Sequence, residues 1–212
     1  MRWTAYRSDV VVTFDLFGTL VSVRRETAPA AAIRTYFLDA GFAVPERFEQ
    51  AYYEPQLECP PDRALSTTEH VRATVAACDV DVPTTLCRRA VRETFTAEPT
   101  LRAETTAAIR LAADRGPVGL CSNCSVVGLV EEILSETQIE DAFDAVVTSV
   151  GCGWRKPSPK IFETVASRLG VDPASITHIG DNRTTDGGIE TVGGTFINCQ
   201  EQSLLAFAQK DR

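Results

Sequence analysis

Hydrophobic positions along the chain fall into two alternating patterns. Short runs rich in β-branched and aliphatic residues recur at about Val10–Phe14, Pro117–Cys121, Ala145–Val150, Ile176–Ile179 and Thr195–Asn198. Runs of this length predict buried strands. Most intervals between them are amphipathic at helical period. Val126–Thr137 places Val126, Val127, Val130, Ile133 and Leu134 near one face, and Ser158–Leu169 is opened by Pro157 and closed by Gly170. Strand and helix in alternation predict an α/β fold, a doubly wound Rossmann-like parallel sheet covered on both faces.

The interval after the first strand is too long for one crossover. It reads as helices at about Thr27–Ala40, Pro45–Glu54, Thr67–Ala77 and Pro83–Thr96, punctuated by Gly41, Pro55, Pro60-Pro61 and Asp81. The expected organisation is a core of residues 1–22 and 97–212 interrupted by a helical unit over 23–96.

Bulk composition narrows the class. The chain has 212 residues, 44% hydrophobic and 24% charged, the balance of an ordinary globular domain with a sizeable core. No apolar run approaches the roughly 20 residues of a membrane helix. Residues 1–7 lead directly into the first strand without a signal-peptide pattern, so a cytoplasmic protein without a membrane partner is expected. A net charge of −8 argues against nucleic acid as a partner. Oligomeric state is not legible.

Seven scattered cysteines look like reduced intracellular thiols rather than a disulfide framework. Cys121-Ser122-Asn123-Cys124 is formally a C-x-x-C, but no second pair has zinc-site spacing. Basic residues are 18 Arg and only 3 Lys, and two of those lysines, Lys156 and Lys160, share one short segment. A composition that mostly avoids lysine retains it there.

Four segments carry candidate chemistry. The first strand ends in Phe14-Asp15-Leu16-Phe17-Gly18-Thr19-Leu20, so Asp15 stands at the carboxyl edge where α/β sheets bind ligands. A lone aspartate there could simply close a strand as an Asx turn. Three further segments follow in order: Gly119-Leu120-Cys121-Ser122-Asn123, then Trp154 through Phe162 with Lys156-Pro157, then His178-Ile179-Gly180-Asp181 continuing to Asp186. Together they resemble the haloacid dehalogenase-like hydrolase superfamily, and the resemblance covers essentially the whole chain.

The resemblance implies that residues 23–96 are a helical cap over the site. It implies a hydrolase in which Asp15 is the nucleophile and Lys156 a catalytic cation, with Gly18, Ser122 and Asn123 binding the substrate. The implied metal is Mg²⁺, held by Asp15, Asp181 and the backbone carbonyl of Phe17, with Asp186 either a ligand through water or a partner of Lys156. Electrostatics points the same way. Three converging carboxylates facing one lysine need a cation, or one pKa must rise.

Phe17 departs from the family's phosphatases, which usually carry a second aspartate there as general acid. The haloacid dehalogenases resemble this chain at that position, and halide leaves without a proton. They use no metal, however, and their last motif lacks the Gly180-Asp181…Asp186 pattern. An uncompensated carboxylate cluster is costly, so the last motif weighs more. The expected function is a Mg²⁺-dependent phosphatase acting on a small phosphorylated metabolite through an aspartyl-phosphate. The alternatives are a metal-independent 2-haloacid dehalogenase and a catalytically weakened phosphate-binding module. Arg24, Arg25, Tyr52, Tyr53 and His70 are the unranked candidates for substrate selection.

Overall fold

The structure, a computed structural model, describes residues 11–24, 26–96 and 98–209. Val10, Arg25 and the amino-terminal residues read above for a leader lie outside the described residues. The elements are β1 (Val11–Phe14), β2 (Val21–Val23), α1 (Pro29–Asp39), α2 (Arg47–Tyr52), α3 (Thr67–Ala77), α4 (Thr84–Phe95), β3 (Pro99–Leu101), α5 (Thr105–Ala113), β4 (Val118–Ser122) and α6 (Leu129–Glu136). They continue as β5 (Ala145–Thr148), α7 (Ser149–Cys152), α8 (Pro159–Leu169), β6 (Ile176–Gly180), α9 (Arg183–Asp186) and β7 (Thr195–Asn198).

Five strands form one parallel sheet in the order β5-β4-β1-β6-β7. The sequence changes direction of growth on either side of β1, so the loop after β1 opens at the switch point where ligands bind in such sheets. All four β1 residues are buried, as expected of a central strand with helices on both faces. Alternation divides its side chains. Val12 and Phe14 join an apolar cluster with Ala108, Ile109, Val130 and Ile133, while Val11 joins Ile161, Phe162 and Val165.

The chain leaves the sheet layer through β2 and returns through β3, and these two strands pair antiparallel, Val21 with Leu101 and Val23 with Pro99. Between them α1–α4 pack on one another, with Ile33, Phe37, Phe48, Val71 and Val91 buried in the same continuous cluster as Phe14. The predicted helix at 67–77 matches α3 in extent. The strand predicted over Ala145–Val150 ends at Thr148, because the Thr148 side chain accepts the Gly151 N–H and caps α7. The helix predicted from Val126 begins at Leu129, after Gly128 at φ 84°.

Candidate active site

Each candidate side chain stands at the carboxyl end of a strand or on the segment that follows it. The Asp15 N–H donates to the Ile179 carbonyl at 2.9 Å, which extends the β1–β6 ladder by one step and fixes the aspartate at the sheet edge. The chain then turns through Gly18 at φ 80°. A Cβ on Gly18 would lie 2.2 Å from Asp181 Oδ2, so only glycine lets this turn approach the carboxylate. The Gly18 carbonyl is held from the other side by Arg102 Nη1 and, at 3.5 Å, by Gln200 Nε2.

Lys156 precedes α8 beside a cis Lys156–Pro157 peptide bond, and it is 2% exposed. Its ammonium donates to Asp15 Oδ1 at 2.7 Å, to the Cys121 carbonyl at 2.9 Å and to Asp186 Oδ1 at 2.5 Å. All three donors are used. The second oxygen of Asp15 accepts no hydrogen bond among the described residues. Asp186 also takes the Asn182 N–H at 3.0 Å, and Gly180 keeps clear the space beside it, since a Cβ there would meet Asp186 Cγ at 2.3 Å. Of the two arrangements implied for Asp186, the geometry is that of a direct partner of Lys156.

Asn123, expected to bind substrate, also makes two contacts within the protein. Its Oδ1 accepts the Lys156 N–H at 2.8 Å and its Nδ2 donates to the Lys156 carbonyl at 3.0 Å. The amide thus clamps the backbone of the lysine and keeps one N–H free. Ser122 is different: its buried Oγ has no hydrogen-bond partner among the described residues. Such an orphan normally costs about 1–3 kcal/mol unless something else satisfies it.

His178 is the neighbour of the cluster that sequence reading passed over. It lies fully buried opposite Thr13 in the β1–β6 register. Its Nδ1 pairs with Thr13 Oγ1 at 2.9 Å and its Nε2 with Asp186 Oδ1 at 3.3 Å. Only the neutral Nε2–H tautomer satisfies both contacts with the threonine hydroxyl donating. The signal was present, a histidine inside the last motif, but its partner is 165 residues away in sequence.

Charge in this cluster is unbalanced. One ligand oxygen from each of Asp15, Asp181 and Asp186 lies within 4.8 Å of the others. Burial opposes the charged Lys156, yet Asp15 and Asp186 outweigh it and push the ammonium well above its ordinary value. Asp186 would be raised by burial, but the hydrogen bond from His178 and the charge of Lys156 hold it far below the usual carboxylate range. Asp181 has no such partner, and burial followed by Asp15 and Asp186 raises it. Burial lowers His178. Three carboxylates against one ammonium are hard oxygen donors short of positive charge, and the Phe17 carbonyl, two residues past Asp15, accepts no backbone hydrogen bond among the described residues. This donor set fits a Mg²⁺-like cation.

The remaining candidates separate. Arg24 lines a cavity of about 310 Å³ beside Phe17 and Asn123. His70 Nε2 meets the Tyr52 carbonyl at 2.6 Å, and both residues line another cavity with Arg63 and Arg155. Tyr53 is exposed. Burial pushes the Cys121 thiol up to about 12 and the Cys124 thiol up to about 11, so the C-x-x-C pair carries inert thiols.

Comparison with known proteins places this geometry. A family model for haloacid dehalogenase-like hydrolases matches residues 10–187. The human haloacid dehalogenase-like hydrolase domain-containing protein 3 is 36% identical over 90 residues, 42% of this chain and 32% of that protein. Hexitol phosphatase B of Escherichia coli is 27% identical over 75 residues, 35% of this chain and 34% of that one. The matched stretches thus span about a third of these relatives' own length. Among solved structures, a HAD family enzyme from Bacteroides thetaiotaomicron, in complex with magnesium and inorganic phosphate, superposes with a TM-score of 0.57 at 17% identity, covering 89% of this chain and 93% of that one. A 2-haloacid dehalogenase from Pseudomonas syringae gives 0.63 at 18% identity, covering 92% and 88%. The fold is shared with both kinds of enzyme, and the family match over most of the chain decides the class: this protein belongs to the haloacid dehalogenase-like hydrolases.

Proposed function

We propose that this hydrolase is a Mg²⁺-dependent phosphatase that acts on a small phosphorylated metabolite through a phosphoryl group carried on Asp15. The observation behind this reading is the charge deficit at Asp15, Asp181 and Asp186, where three carboxylates share one buried lysine and burial, then the two neighbouring carboxylates, raise Asp181. In this reading Asp15, Asp181 and the Phe17 carbonyl would hold the metal, with Asp186 close by. When bound, Mg²⁺ supplies charge that the transferring phosphoryl group and the carboxylates both require.

The chain's own groups do the rest. Lys156 holds Oδ1 of Asp15 at 2.7 Å and leaves the other oxygen for the substrate. That oxygen forms a bond to phosphorus as the ester oxygen leaves with the electron pair. Ser122 Oγ, buried and unpartnered, donates to an oxygen of the group in transfer. Water then attacks phosphorus, the Asp15 oxygen departs, and the carboxylate and free phosphate are restored. Asn123 and His178 act at one remove, by holding the Lys156 backbone and Asp186.

Helices α1–α4 form the cap in this proposal, closing over the mouth beside Phe17 and excluding water during transfer. The charge of −8 and the inert, buried C-x-x-C suit a cytoplasmic enzyme of small molecules rather than of nucleic acid.

A second reading has a specific observation in its favour. Phe17 puts a phenyl ring, with no proton to give, beside the nucleophile, and a 2-haloacid dehalogenase needs none there. Phosphate release from 4-nitrophenyl phosphate separates the two. Release that requires Mg²⁺, stops in EDTA and disappears in Asp15→Asn is the expected result. Halide release from a 2-haloacid in the presence of EDTA, with no phosphate released from any ester, would replace the phosphatase reading.

A further inference from the structure

The space next to Phe17, two residues past the nucleophile, narrows the substrate class, on the reading of the site as a phosphatase. A cavity of about 310 Å³ opens next to Phe17 and Asn123, the residues that follow Asp15 and Ser122 most closely on its wall. Ligand pockets run from about 300 to 1,000 Å³, so this one takes a small body. Phe17, Val23, Phe95, Val126 and Leu129 make most of its wall apolar. Arg24 and Glu26 also line it, both exposed and of opposite sign, so together they set no demand for a charged body.

Among the described residues of the same wall, no group is placed to protonate a leaving oxygen. Arginine does not release its proton. Cys124 is buried, and its Sγ is directed to the Val126 carbonyl at 3.4 Å. Glu26 accepts the Ala28 N–H at 2.8 Å. The Asn123 amide and the serine and threonine hydroxyls complete the polar lining and are too weakly acidic for the task. A positioned general acid contributes about 10²–10⁴-fold when the leaving oxygen needs a proton. Without one, the ester must carry an oxygen that is already a stable anion on departure.

We propose that this site is built for phosphate monoesters of a small, planar, apolar body with an acidic leaving oxygen, that is, aryl and enol phosphates, and not for sugar or other alkyl phosphates. Apolar walls and a missing acid are independent features, and one substrate class answers both. A sugar would set part of its hydroxyl-bearing surface against Phe95, Val126 and Leu129, which offer no hydrogen bond. It would also leave as a strongly basic alkoxide. An aryl oxide leaves with the P–O electron pair spread into its ring, and the ring rests on those walls.

The test is kcat/KM with Mg²⁺ for 4-nitrophenyl phosphate, phenyl phosphate, a sugar phosphate, cyclohexylmethyl phosphate and acetyl phosphate. Aryl esters should exceed both alkyl esters by at least about 100-fold. Rates should rise as the leaving oxygen becomes more acidic. Phe95→Ala should raise KM for the aryl esters about 10-fold more than for acetyl phosphate, since only the former use the apolar wall. Should that variant fold poorly, Leu129→Ala makes the same comparison.

Alkyl and aryl esters turned over at similar rates would overturn the proposal while leaving a phosphatase. So would selective loss of alkyl turnover in Glu26→Gln, which would make Glu26 the acid. No phosphate release from any ester, together with no Mg²⁺-dependent labelling of Asp15 by acetyl phosphate, would remove the phosphatase reading and this inference with it.

Discussion

At the scale of single residues, the site is organised around one buried cation. Lys156 spends its three donors on Asp15, Asp186 and the Cys121 carbonyl, and His178 supports Asp186 from behind. The pH dependence of stability follows from His178. Its folded value is lowered by burial, so the unfolded chain takes up a proton that the folded one resists. Such a group stabilises the fold above its unfolded value of about 6.5 and loses that contribution as pH falls. Thermal stability should therefore decline between about pH 7 and pH 5, and His178→Gln should flatten that slope. An unchanged slope in the variant would assign the decline to other groups. Asp181 works in the opposite sense. Raised by burial and by two neighbouring carboxylates, it weakens the metal-free fold near neutral pH. Asp181→Asn should thus have a higher Tm than the parent in EDTA while losing Mg²⁺-dependent turnover. A lower Tm in EDTA would show that the Asp181 carboxylate is not under repulsive strain. Neither effect is legible in a string of residues, because burial of His178 against Thr13 and of Asp181 near Asp15 comes from the pairing of β1 with β6 and the ends of those strands.

At the scale of elements, local chemistry decides where the segments begin and how they are joined. Ser66 accepts the Glu69 N–H at 3.1 Å, and the Glu69 carboxylate takes both the Ser66 N–H and its hydroxyl, a capping box that starts α3. Ser66→Ala should cost about 1 kcal/mol by denaturant titration. A loss under about 0.3 kcal/mol, well below the usual range for a cap, would mean that packing alone fixes this end. Long periodic helices and buried strands were legible because each repeats one face over several turns or steps. The ribbon of β2 and β3 was not. Each strand has three residues, and the pairing of Val21 with Leu101 spans the whole helical unit between them. The end of β5 was misjudged for a related reason: Val150 continues an apolar run, but the Thr148 cap turns the chain into α7 two residues earlier.

At the scale of the molecule, the helical unit is tied to the sheet layer away from its ribbon as well. The Thr67 N–H donates to the Ser125 carbonyl at 2.8 Å, Ala64 N–H to Gly153 at 3.2 Å and Arg155 N–H to Asp62 at 3.0 Å. Arg63 stacks on Trp154 with its guanidinium 4.0 Å from the ring centroid, and Lys160 covers the same ring at 3.7 Å. Mg²⁺ with phosphate at about 100 times its Kd should stabilise the fold by about 2.7 kcal/mol, seen as a rise in Tm. The rise should vanish in Asp181→Asn. A rise that persists there would place the ligand elsewhere.

The amino-acid sequence by itself determined the fold class, the order of the main elements and the four strand-end segments. Those properties reside in short-range patterns: the period of apolar residues, the breakers between them, and the residue types that end each strand. Tertiary structure alone decided which groups touch. It added to Asn123 a clamp on the Lys156 backbone and made Asp186 the direct partner of the lysine. It brought in His178, left Ser122 Oγ unsatisfied, and lined the space beside Phe17 with apolar side chains from residues 23 to 129. The physical reason is that desolvation and charge–charge coupling depend on distances of a few ångströms between residues far apart in the chain, and only the folded sheet sets those distances.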